Sequence, residues 1–97
     1  MLVERSERLT LPIAITYRIA GDDHWIHSRV MNISDSGVLF GPAGVGPGTP
    51  LEVIFAAPVN IGSLASGKLV CAAEVVRTTE EGAAAARFEE CRFLLSA

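Results

Sequence analysis

The stretch Leu11-Pro12-Ile13-Ala14-Ile15-Thr16-Tyr17-Arg18-Ile19 decides the fold class. Leu11, Ile13, Ile15, Tyr17 and Ile19 take every second position, with Pro12, Ala14, Thr16 and Arg18 between them. Side chains of an extended chain alternate between two faces, so the period of two describes a half-buried strand. Pro12 stands near its start, where a missing N–H is tolerated at an edge. Ala20-Gly21-Asp22-Asp23 then supplies residues that accept the backbone angles of a reversal.

The pattern repeats along the chain. His24–Ile33 is again extended, with Trp25, His27, Arg29, Met31 and Ile33 alternating with His24, Ile26, Ser28, Val30 and Asn32. Both sets contain apolar residues, so alternation leaves the inward face of this segment open. The polar turn Ser34-Asp35-Ser36-Gly37 leads into the apolar Val38-Leu39-Phe40. Residues 41–50 hold four glycines and three prolines, which predicts an irregular loop. Leu51–Ala57 is a strand with Leu51, Val53 and Phe55 on one face, Pro58–Lys68 a loop, and Leu69–Thr78 a strand rich in valine and alanine. Thr79-Glu80-Glu81-Gly82 reverses the chain into Ala83–Glu90. The four alanines at 83–86 favour helix by intrinsic propensity, but a turn so close before Arg87-Phe88-Glu89 favours a hairpin. Six strand segments and no long helix predict an all-β domain. A small antiparallel sheet protects its edges by closing, so the expected architecture is a six-stranded antiparallel β-barrel.

Ninety-seven residues suit one domain, 1–97, with a flexible arm over 1–10 and the barrel over 11–90. The net charge is −3, and seven of the eight cations are arginine. That balance excludes a general binder of nucleic-acid polymers or acidic lipid, while forked guanidinium groups suit a specific anion. No apolar run approaches the ~20 residues of a membrane span, and the charged start Met1-Leu2-Val3-Glu4-Arg5 lacks a leader's apolar stretch. The expectation is a soluble cytoplasmic protein without membrane insertion. Cys71 and Cys91 lack metal-type spacing, and are expected as buried reduced thiols in strands.

Catalytic chemistry finds no foothold. His24 and His27 fall on opposite faces of one extended segment. There is no nucleophile elbow, zinc-protease pair or phosphate loop. Gly44-Val45-Gly46-Pro47-Gly48 lacks both a following helix and the N–H of Pro47. No enzyme, metal or cofactor is expected. Two patches remain. Glu4-Arg5-Ser6-Glu7-Arg8 carries two guanidinium groups just before the first strand, and is by composition also a charge-balanced solvated terminus. Asn32-Ile33-Ser34-Asp35-Ser36-Gly37 is a turn of short polar side chains, in which Gly37 permits either a positive φ or a close backbone approach. Forked donors on an arm beside an amide-lined ledge suit a planar, doubly phosphorylated ligand.

In these residues the chain resembles a PilZ domain. Asn32-x-Ser34-x-x-Gly37 matches that family's [D/N]-x-S-x-x-G signature. The arginine-bearing arm, Leu11-Pro12-Ile13, Tyr17-Arg18, Glu74-Val75-Val76-Arg77, Gly82 and Ala86-Arg87-Phe88 extend the likeness over nearly the whole length. The resemblance implies a six-stranded antiparallel barrel, possibly ending in a very short C-terminal helix. It also implies binding of the bacterial second messenger cyclic di-GMP, with Arg5 and Arg8 as arm residues and Asn32, Ser34 and Gly37 as the ledge. Such a receptor changes arm conformation on binding and signals to a partner protein. One departure stands out. The family's arm spaces its arginines four apart, whereas here the spacing is three and Glu4 precedes Arg8 by four. A carboxylate there repels a phosphate, and this supports a second reading: a PilZ-like adaptor that binds protein and not nucleotide.

Overall fold

The computed structural model describes residues 13–94. Six strands form: β1 (Ala14–Ile19), β2 (Ile26–Ile33), β3 (Gly37–Gly41), β4 (Pro50–Ala57), β5 (Gly67–Thr78) and β6 (Ala84–Phe93). They close into an antiparallel barrel in the order β1-β2-β3-β6-β5-β4, sealed by pairing of β4 with β1. The expected fold class is therefore the observed one. Among the described residues there is no helix, which corrects the short C-terminal helix allowed by the resemblance: past Glu90 the chain continues as strand through Phe93, paired with Leu69.

The alternation of β1 holds, with Ile13, Ile15 and Tyr17 buried, until Ile19 emerges at the barrel's end. In β4, Leu51, Val53 and Phe55 point inward as expected. Phe40 is fully buried and its ring lies 5.0 Å from that of Tyr17, while Phe55 stacks on Phe88 at 5.9 Å. Burying a side chain such as Phe40 contributes about 1.5–3 kcal/mol, so this aromatic layer is a principal source of stability. Ile61, from the loop between β4 and β5, is buried with the core residues. Ser28 is the one buried polar side chain among the described residues, and its hydroxyl donates to the Pro42 carbonyl at 3.0 Å.

β2 shows why its inward face was ambiguous. Ser28, Val30 and Ile33 are buried, and they belong to both alternating sets. A bulge between Val30 and Asn32 inserts Met31, which is exposed, and flips the parity of everything after it. The β5–β6 ladder has two further irregularities, at Ala72/Ala73 and at Val75/Arg77.

Cys71 and Cys91 form a disulfide, not the reduced thiols expected. They are direct cross-strand partners on β5 and β6, with Cα atoms 4.0 Å apart. The two irregularities of that ladder shift register in opposite senses and cancel. A hairpin folded about Glu81 therefore still sets residue 71 opposite residue 91.

Candidate functional site

The turn joining β2 to β3 is built from its own side chains and amides. The Ser34 N–H donates to the Gly37 carbonyl at 2.9 Å, and the Ser36 N–H donates to Ser34 Oγ at 3.2 Å. The two serine hydroxyls lie 3.0 Å apart. The Phe88 N–H donates to the Ser36 carbonyl at 2.9 Å, which fastens the turn to β6. Asp35 faces another way, toward the β4–β5 loop, where its Oδ2 accepts from the Ser63 N–H at 2.9 Å and the Ser63 hydroxyl at 3.0 Å. Those donors, the backbone N–H first, hold the Asp35 carboxyl below the ordinary carboxylate range.

Of the two roles open to Gly37, the close approach is the real one. Its φ is not positive. A Cβ at this position would instead run into the backbone carbonyl oxygen of Ala86 on β6. Gly37 pairs with Arg87 in the ladder, so β3 meets β6 at a point where β3 has no room for a side chain.

An open groove of about 520 Å³ lies here. Asn32, Ser34, Ser36 and Gly37 line one side, Ala85 and Arg87 of β6 and Val76 and Arg77 of β5 the other. The three signature residues are thus brought together. Two of the three bulges flank them: the one after Val30 precedes Asn32, and the one between Val75 and Arg77 precedes the arginine of the far wall. Bulges commonly re-aim side chains beside binding sites. The small Gly37 and Ala85 leave the space that the arginines border.

Arg77 and Arg87 are groove residues that the alternation pattern could not single out from Arg18, Arg29 and Arg92. The Arg87 guanidinium is held by Glu74 at 3.1 Å and approaches Glu89 at 4.0 Å, yet its side chain stays mostly exposed. Arg77 is exposed and makes no ion pair among the described residues. Arg18 serves elsewhere. Its Nε and Nη2 donate to Glu52 at 2.8 and 2.6 Å, its Nη1 donates to the Asp22 carbonyl at 3.1 Å, and its guanidinium covers Trp25 at 4.6 Å. Arg5 and Arg8 lie outside the described residues. His24 and His27 are both exposed. Among the described residues no group of three or more His, Cys, Asp or Glu is placed to hold a metal, and no helix is long and apolar enough to cross a membrane.

Comparison with known proteins agrees with the barrel fold. The barrel is similar to the crystal structure of the PilZ domain of CeSA from a cellulose-synthesizing bacterium, with a TM-score of 0.64 at 16% identity, over 88% of this chain and 82% of that one. At that identity the likeness speaks for the fold. Among curated proteins none matches the chain. The PilZ domain family model matches residues 3–96, the span that holds the barrel, the turn, Arg5 and Arg8, and the chain belongs to the PilZ domain family.

Proposed function

We propose that the groove binds cyclic di-GMP, that Arg5 and Arg8 close over the ligand, and that the reordered arm signals to a partner protein. The observation carrying this reading is the convergence of Asn32, Ser34 and Gly37 with Arg77 and Arg87 around one groove. Its volume falls within the roughly 300–1,000 Å³ usual for small-molecule sites. Guanidinium forks match phosphate oxygens and the O6/N7 edge of guanine, and stack on bases.

The point at which the chain enters the barrel supports the same reading. The Ile13 carbonyl accepts from the Val30 N–H at 2.8 Å, so the chain enters the barrel beside the end of β2 that carries Asn32. Arg8 precedes Ile13 by five residues, which extended span about 17 Å, enough to cross a groove of this size. Ordering the arm over a ligand supplies the differential contacts that a signalling change requires.

Isothermal titration of the purified chain with cyclic di-GMP, with GMP as control, is the test. Binding is expected, weakened roughly 10- to 150-fold by Arg8→Ala, the loss of one charge-assisted contact, and tightened by Glu4→Arg. Arg77→Ala weakens it as well. Absence of heat in the native chain, with no rise in thermal midpoint, refutes the nucleotide reading. The adaptor reading, supported by Glu4 in the arm, then takes its place.

A further inference from the structure

Asp35 occupies the second variable position of the signature and lines no part of the groove, yet its side chain reaches well beyond the turn. Its Oδ2 accepts two hydrogen bonds from Ser63, 28 residues away in the β4–β5 loop. That loop is itself well anchored. Ile61 is buried in the core, Ile61 and Leu64 exchange two backbone hydrogen bonds at 2.8 Å, and the Asn60 side chain accepts from the Ser66 N–H at 2.8 Å. The turn is therefore held at two separate points. Phe88 holds the Ser36 carbonyl on the β6 side, and Ser63 holds Asp35 on the other.

From this we infer that Asp35 and Ser63 are positioning residues for the ligand site: the Asp35–Ser63 tether sets the orientation of the Ser34 and Ser36 hydroxyls toward the groove. The inference rests on the nucleotide-binding reading above. Ser34 and Ser36 flank Asp35 directly, and the hydroxyl of Ser34 already takes part in the turn's internal bonds. With the tether cut, the turn keeps its internal bonds and its β6 anchor but gains freedom to pivot about that anchor. A pivoting turn must be immobilised at the moment of binding, and that cost weakens affinity without removing any contact residue.

The test titrates cyclic di-GMP into the native chain, Asp35→Ala, Asp35→Asn, Ser63→Ala and the Asp35→Ala/Ser63→Ala double variant, well below each thermal midpoint. Asp35→Ala is expected to weaken binding roughly three- to ten-fold, the span of a modest hydrogen-bond loss. Asp35→Asn keeps an acceptor oxygen and should restore most of the affinity. Ser63→Ala retains the backbone donor, so it should fall between the native chain and Asp35→Ala. The double variant should be no weaker than Asp35→Ala alone, since the two residues act through one contact. Native-like affinity in Asp35→Ala overturns the tether while leaving the nucleotide site standing. So does a double variant whose loss is the sum of the single losses. Absence of binding in the native chain overturns both, and that failure is recognisable because it requires no variant.

Discussion

Replacing Gly37 with alanine asks what the signature glycine is for. The added Cβ meets the Ala86 carbonyl oxygen and comes within 3.4 Å of the Arg87 Cα. These are backbone atoms of a paired strand, so no side chain can swing aside and β3 must move away from β6. Overpacking of this kind costs about 1–3 kcal/mol. The displacement also strains the Phe88 N–H bond to the Ser36 carbonyl, a contact of about 0.5–1.5 kcal/mol. The sum, about 2–4 kcal/mol, corresponds to a drop in thermal midpoint of roughly 10–30 °C for a domain of this size. Two control glycines separate the causes. Gly44 has open space and no positive φ, so Gly44→Ala should change stability by no more than about 0.5 kcal/mol. Gly21 has open space but φ of +89°, so Gly21→Ala should cost about 1–2 kcal/mol from backbone strain alone. Denaturant unfolding of the three variants gives the ranking. A Gly37→Ala loss no greater than that of Gly44→Ala would refute the close-approach argument.

Two further predictions concern the disulfide and the acid limit. Cys71 and Cys91 are 20 residues apart, and opening a loop of that length on reduction should lower unfolding free energy by about 3 kcal/mol, read as the difference between oxidised and reduced chain in urea. Equal stability of the two forms would show that the β5–β6 pairing holds the chain ends without the cross-link. The Asp35 carboxyl lies below its ordinary value near 3.8 in the folded chain, so the unfolded chain binds the proton first as pH falls. Its contribution is fully present above that ordinary value and is lost as pH drops through the lowered folded one. Asp35→Asn should therefore show a shallower fall in thermal midpoint as pH drops below about 4 than the native chain, and parallel curves would contradict the assignment.

How far the molecule could be anticipated differs from element to element. β1 and β4 were readable because each runs straight along the barrel wall, so a period of two maps directly onto inside and outside. β2 was not, because Met31 is an extra residue and shifts the parity partway along. The turn at 32–37 could be found from its short polar residues and glycine, and Asn32, Ser34 and Gly37 were singled out within it by the resemblance to the PilZ signature. Arg77 and Arg87 could not, because their place in the groove depends on which residues of β5 and β6 stand opposite β3. Cys71 and Cys91 are the instructive miss. The reversal at 79–82 was recognised, and folding the sequence about Glu81 within it sets them face to face. The tether from Asp35 to Ser63 spans two loops, for which no periodicity exists to be read.

The strand order has a consequence for how the protein comes into being. β3 pairs with β6 through Gly37 and Arg87, residues 50 positions apart, whereas β2–β3 and β5–β6 are local hairpins. Closing the longer loop costs more chain entropy and must await both hairpins. The signature turn therefore forms early, as part of a hairpin, but its groove acquires a second wall only when the last strand docks. A chain emerging from the ribosome carries Asn32, Ser34 and Gly37 without their β6 wall until residues 84–93 have also been made. The groove is complete only once β6 has docked on β3.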